Sequence, residues 1–172
     1  QFHGIIPPMV TPLKDWDTLD NQGIEKLINH ILNGGVHGLF VLGTTGEAPS
    51  LSHQLRKEVI KRTLDQVGTK VPVLVGITDT SFIETINIAE FAAEAGASAV
   101  VLAPPYYFPA GQFELIETLK EIKKAVQSLS KEVLEIKTLL FKLHDVKEKA
   151  EIEEKMYPWH FPRSEERRIG KE

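Results

Sequence analysis

A short polar turn interrupts the first half of the chain, in the stretch Val41-Leu42-Gly43-Thr44-Thr45-Gly46-Glu47. A largely apolar run ends at this turn, and a helical pattern follows it. Glycine adopts backbone angles that are closed to other residues, so we expect a tight turn. Its N–H groups and the hydroxyls of Thr44 and Thr45 would then form a small anion-binding concavity suited to a carboxylate. The end of a parallel strand is where α/β folds place their sites.

Apolar runs recur on both sides of this turn, at residues 4–10, 36–42, 71–77 and 98–103. A helical pattern follows each of the first three runs, with Asp, Asn or Ser at its start and Gly after its end. Asp20 or Asn21 would cap the first helix, and Ser50 or Ser52 the second. Residues 11–21 read as a polar loop. Four β-then-α units in a row predict an α/β fold with a parallel sheet and right-handed crossovers.

Three stretches together carry a family resemblance: Gly43-Thr44-Thr45-Gly46-Glu47, Pro104-Pro105-Tyr106-Tyr107 and Gly4-Ile5-Ile6-Pro7-Pro8-Met9-Val10-Thr11-Pro12. Over residues 2–116 the chain resembles the dihydrodipicolinate synthase / N-acetylneuraminate lyase family, which comprises pyruvate-dependent class I aldolases on a (β/α)₈ barrel. The resemblance implies a partial (β/α)₈ TIM barrel of four βα units. It also implies pyruvate or another 2-oxo acid as the substrate.

The same resemblance implies roles for three residues near the strand ends. Thr44 would join a hydroxyl proton relay and, with Thr45, hold the pyruvate carboxylate. Tyr107 would reach across a tight dimer interface to complete the relay of a neighbouring subunit, so a homo-oligomer is expected. The alternative for Tyr107 is simple packing over the end of the barrel.

A second group of residues lies where some family members bind lysine as a feedback inhibitor. This possible allosteric group comprises His53, Glu84 and Tyr106. Arg56 and Thr80 depart from the residues expected there, and Glu84 also fits a helix-capping pattern that begins at Ser81. Feedback regulation is therefore one interpretation of this group, and a purely structural role is the other.

Two parts of the family chemistry are missing from the sequence. The family uses a Schiff base, formed when a buried lysine on the sixth strand condenses with the pyruvate ketone. A second tyrosine, in a Tyr-Asn-x-Pro motif, acts as acid and base. The chain has no such motif, and its only comparable lysine, Lys137, lies within a predicted helix that would not desolvate the amine. We expect this chain to be inactive by itself, with no cofactor and, since its histidines are scattered, no metal site.

From Gln112 onward the apolar residues recur in alternating steps of four and three. The a and d positions of this heptad are Leu119, Val126, Val133, Leu140, Ile122, Leu129, Ile136 and Leu143. The pattern predicts a long coiled-coil-like helix over residues 117–156, after a half barrel at 1–116 and before an irregular tail at 157–172. A bundle of several helices, or docking of this helix against the domain, would satisfy the same stripe.

Composition narrows the class of protein. At 172 residues the chain is too short for a complete barrel, which takes about 200 residues or more. Its net charge of −4 gives no reason to expect nucleic acid or an anionic membrane as a partner. There is no cysteine, no long apolar run and no signal-peptide pattern, so we expect a cytoplasmic protein.

Two functional interpretations stay open. The chain is either the front half of a family lyase or a non-catalytic oligomerising or interaction protein, truncated or chimeric, assembled through the heptad helix. Four βα units leave two sheet edges and one apolar face uncovered, which is an aggregation hazard. A second copy, or the helix folding back, would have to cover them.

Overall fold

The computed structural model describes residues 2–103 and 111–129. Its elements in chain order are β1 (Leu13–Asp15), β2 (Thr18–Leu19), α1 (Asn21–Asn33), β3 (Leu39–Val41), a 3-10 turn (Ala48–Ser50), α2 (His53–Val67), β4 (Val73–Gly76), α3 (Phe82–Glu94), β5 (Ala99–Val101) and α4 (Gln112–Leu129). The predicted tail at 157–172 and the predicted helix beyond residue 129 lie outside the described residues.

The central sheet is parallel, in the order β3-β4-β5. An extended N-terminal segment runs parallel to β3 on its free side, where Met9 N–H donates to Phe40 O at 2.8 Å and Phe40 N–H donates to Pro7 O at 3.0 Å. The segment forms only an isolated bridge between Pro8 and Phe40, because the two prolines have no N–H to donate. The predicted parallel sheet and four helices are confirmed, but the first of the four predicted strands forms only this bridge.

Residues 11–21 do not form a simple loop, and that part of the prediction is wrong. β1 and β2 pair in an antiparallel hairpin, and its turn is closed by Asp15 Oδ1, which accepts from Asp17 N–H at 3.1 Å. Each strand has three residues or fewer, and Leu19 is the only buried side chain in them. Such short, exposed strands carry too little apolar alternation to be read from sequence.

Helices α1, α2 and α3 each begin directly after a residue whose side chain was predicted to cap the helix. Three side-chain oxygens accept from a backbone N–H two or three positions on: Asp20 from Gln22, Ser52 from Leu55 and Ser81 from Glu84. Each cap satisfies a donor that the first helical turn would otherwise leave unpaired.

The two faces of the sheet have different environments. Leu39, Val41 and Val75 are almost fully buried in the core with the helices. By the alternation of side chains along a strand, Phe40 and Val10 lie on the opposite face. Phe40 is half-buried, and Val10 is 48% exposed. Leu74 and Ala99, which are in register with Phe40, are buried on the same face, so its open part lies beside the N-terminal segment.

The described part of the C-terminal helical stretch packs as a barrel helix. α4 lies against α3, and Ile122 is buried in the core, while Leu115 and Leu119 are half-buried. Over these residues the apolar stripe is used for docking against the domain. Among the described helices, none combines the length and apolarity that crossing a bilayer requires.

Gly76 offers a test of the packing at the end of β4. A Cβ at this position would collide with the carbonyl oxygen of Leu42, so we expect Gly76→Ala to lower the free energy of unfolding by about 3 kcal/mol. Gly35→Ala is the control, because it has open space but a φ of +73°, which costs about 1 kcal/mol. Urea unfolding of both variants measures the difference, and equal losses would contradict the close approach.

Candidate functional site

The turn after β3 is compact and bonded internally. Gly46 N–H donates to Gly43 O at 3.1 Å, and Glu47 N–H donates to Thr44 O at 3.0 Å. The hydroxyl of Thr11 donates to Gly46 O at 2.8 Å, which ties the turn to the segment preceding the hairpin. The turn therefore has a fixed position at the carboxyl edge of the sheet.

The turn is tight, as predicted, but for a different reason. Its residues with left-handed backbone are Leu42, with φ 58°, and Glu47, with φ 54°, whereas Gly43 and Gly46 do not have positive φ. The glycines are needed because they lack a side chain. A Cβ at Gly43 would lie 2.6 Å from the Phe40 ring, and one at Gly46 would lie 3.1 Å from Met9 O.

Thr44 and Thr45 are both exposed at the tip of this turn. Neither their N–H groups nor their hydroxyls hydrogen-bond to any residue that the structure describes. Two backbone donors and two hydroxyls are thus available at one end of a parallel strand. Tyr107 of the predicted relay and Tyr106 of the possible allosteric group lie outside the described residues, as does Lys137.

A network of charged side chains lies beside the turn. Arg56 Nη1 donates to Asp79 Oδ2 at 2.7 Å, and His53 Nε2 lies 2.9 Å from the same oxygen. His53 Nδ1 is 3.5 Å from Glu84 Oε2. The structure therefore brings together His53 and Glu84 of the possible allosteric group, and it adds Asp79 and Arg56 to them.

Asp79 is the centre of this network, and its side chain is only 7% exposed. Burial alone would raise the pKa of its carboxyl group. The N–H of Ser81, His53 and Arg56 together outweigh that effect and lower the pKa of Asp79 to about 2. Ser81 N–H donates to Oδ1 at 2.9 Å, so the carboxylate also orders the start of α3.

Sequence reasoning did not single out Asp79, although a signal was present. Asp79 is a charged residue placed between a buried strand and the N-cap of α3. Arg56 lies among buried residues of α2 and is itself 5% exposed. A buried guanidinium requires a carboxylate partner, and searching strand ends for that partner would have found Asp79. Within the described residues no group of three His, Asp or Glu side chains could hold a metal ion.

Comparison with known proteins shows the family to which this chain belongs. The sequence model of the dihydrodipicolinate synthetase family matches residues 1–139. The chain belongs to this family. The match runs past residue 116 and includes all of α4, in agreement with the barrel-like packing of that helix.

Individual members of the dihydrodipicolinate synthetase family show how much of their length this chain covers. The chain is 34% identical over 125 residues to 4-hydroxy-tetrahydrodipicolinate synthase of Coxiella burnetii, covering 73% of this chain and 43% of that protein. It is 56% identical to the solved dihydrodipicolinate synthase of Bacteroides thetaiotaomicron, with a TM-score of 0.68 over 72% of this chain and 42% of that one. YagE of Escherichia coli K12, solved with pyruvate, is 36% identical, with a TM-score of 0.69 over 72% and 42%. The chain thus spans less than half the length of these relatives.

In this dihydrodipicolinate synthetase family chain, Asp79 should make stability depend on pH in acid. Because its pKa in the folded state is about 2, below the ordinary 3.8, its contribution is complete above about pH 4 and is lost as the pH falls towards 2. We expect Asp79→Asn to remove this dependence. We also expect it to lower stability at pH 7 by about 3 kcal/mol, because Arg56 is left buried without its partner.

Urea unfolding between pH 7 and pH 3 measures both effects. Asp65→Asn is the matched control, because Asp65 pairs with Lys61 on the exposed surface of α2 and should change stability by less than about 1 kcal/mol. An unchanged acid slope in Asp79→Asn would show that other carboxylates cause the loss.

Proposed function

We propose that this chain forms the front half of a lyase barrel and binds the carboxylate of pyruvate or another 2-oxo acid at Thr44 and Thr45. The observation that supports this is the set of N–H and hydroxyl donors at these two threonines, which have no partner among the described residues. Hydrogen bonds to a carboxylate are stronger than those between neutral groups. The related YagE was solved in complex with pyruvate.

Binding through this turn would orient the 2-oxo acid without activating it. In this proposal the two N–H groups and the hydroxyl of Thr45 hold the carboxylate. The hydroxyl of Thr44 would pass a proton to Tyr107, the next member of the relay by family resemblance. Aldol addition or cleavage also needs an electron sink at the keto carbon, which an amine supplies by forming a Schiff base.

No lysine in the described part of the chain meets the requirement for that amine. Seven of the eight described lysines are exposed, and none lies on the parallel sheet. Lys57 is half-buried on α2, with its ammonium group 5.4 Å from the centre of the Phe91 ring. A nucleophilic amine must lose its proton in a desolvated site. We therefore infer that the described residues bind a 2-oxo acid but do not turn it over by themselves.

A second candidate function is assembly without catalysis. The open sheet face supports it, since Val10 is 48% exposed there and Phe40 is only half-buried. A second copy is the occupant that fits best, because two sets of four parallel strands give the eight strands of a closed barrel. The described part of α4 does not cover this face, because it packs against α3.

The first proposal is tested with pyruvate. In an NMR titration we expect the amide signals of Thr44 and Thr45 to shift, and we expect Thr44→Val and Thr45→Val each to weaken binding about 10-fold through the loss of one hydrogen bond. Thr69→Val is the control, because Thr69 is exposed between α2 and β4, at the other end of the sheet.

Borohydride reduction in the presence of pyruvate tests the missing chemistry in the same samples. Mass spectrometry should find no covalent adduct on this chain. An adduct trapped on any lysine would overturn the inactive reading, while a wild-type protein with no amide shifts would overturn the carboxylate site.

The assembly candidate is tested by size-exclusion chromatography with light scattering. If it is correct, the wild type is a dimer, and Val10→Lys makes it a monomer by placing a charge on the open face. Ile83→Lys is the control, because Ile83 is exposed on α3, away from the sheet. A monomeric wild type, or a dimer insensitive to Val10→Lys, counts against closure by a second copy.

A further inference from the structure

We propose that Arg56 is a positioning residue that holds the Thr44–Thr45 turn in place by clamping the loop after β3 to the loop after β4. The proposal rests on the carboxylate site proposed above. It goes beyond that site because Arg56 contacts neither threonine and acts through the backbone that supports them.

One end of the clamp leads to the turn. Arg56 Nε donates to Leu51 O at 3.2 Å, at the end of the 3-10 turn Ala48–Ser50. Leu51 N–H donates to Ala48 O at 3.2 Å, and Ala48 N–H approaches Gly43 O at 3.5 Å. A short chain of hydrogen bonds therefore connects the guanidinium group to the glycine that opens the turn.

The other end leads to the next two strands. Arg56 Nη1 donates to Asp79 Oδ2 at 2.7 Å, and Asp79 follows Thr78 in the loop after β4. The Thr78 hydroxyl accepts from Ala103 N–H at 2.8 Å, beyond the end of β5. One buried side chain on α2 thus links the loops that follow β3 and β4, and the Thr78 hydrogen bond extends this link to the end of β5.

The conformation of the turn explains why such an anchor is needed. Leu42 and Glu47 both have left-handed backbone, which is unfavourable for any residue with a side chain. Strained backbone of this kind persists only where surrounding contacts hold it. Arg56 is suited to this, because its rigid planar guanidinium donates in two directions at once, and both of its acceptors lie in loops.

A purely structural role and a positioning role predict different local behaviour. If Arg56 only stabilised the fold, its loss would make the whole domain open more often. If it positions the turn, its loss would loosen the hydrogen bonds of residues 43–51 while the sheet and α1 keep their protection.

Native-state hydrogen exchange on the full chain distinguishes the two. Arg56→Lys keeps a positive charge for Asp79, so the domain should stay folded. The lysine ammonium group cannot bond Leu51 O at the same time, so that end of the clamp is lost. We expect exchange at Gly46, Glu47 and Leu51 to rise at least about 10-fold relative to β4 and α1. Gln66→Met is the matched control on the same helix, because Gln66 donates to Glu25 O at 2.9 Å, away from the turn.

Uniform acceleration in Arg56→Lys, or no change at these three amides, would overturn the clamp. A pyruvate titration by NMR completes the test: binding to Arg56→Lys should be at least about 5-fold weaker than to wild type. Equal affinity for a loosened turn would overturn the positioning role. A wild type that does not respond to pyruvate would instead refute the carboxylate site, with the clamp still decided by the exchange rates.

Discussion

The buried ion pair between Arg56 and Asp79 is the constraint on which the carboxyl edge of the sheet depends. Removing two charges from water is expensive, and a hydrophobic pair of similar size often stabilises a fold as well. Here the carboxylate of Asp79 is also within hydrogen-bonding distance of His53 and Ser81 N–H, and these contacts offset its desolvation. What the pair contributes beyond stability is geometry, because its two members come from different βα units.

Much of the fold could be predicted because its signals are local. The caps at Asp20, Ser52 and Ser81 each involve neighbours two or three residues away, so the sequence window contains both partners. The hairpin was missed because its strands are short and mostly exposed. The first strand was predicted at residues 4–10, but this segment forms only a single bridge to β3, because Pro7 and Pro8 have no N–H to donate.

The position of the candidate site could be predicted from the sequence, but the side-chain contacts that hold it in place could not. A Gly-Thr-Thr-Gly sequence after an apolar run indicates where the turn lies. Arg56 and Asp79 are 23 residues apart, and His53 and Asp79 are 26 apart, and no helical or strand period connects such positions. The need for Gly43 likewise comes from the Phe40 ring beneath it, a contact that depends on how the chain turns.

The stripe of apolar residues that begins in α4 also could not be interpreted from the sequence alone. Steps of three and four put apolar residues on one helix face, whether that face meets another helix or a domain. Ile122 is buried in the core of the domain, so the start of the stripe packs against the domain. α4 runs through residue 117 without interruption, and the division into a half barrel and a long helix stays a prediction. If Thr44 and Thr45 hold a 2-oxo acid, the donors that bind it and the amine that would react with it belong to different parts of a barrel. On that proposal the described residues supply donors for binding, and no described lysine supplies the amine.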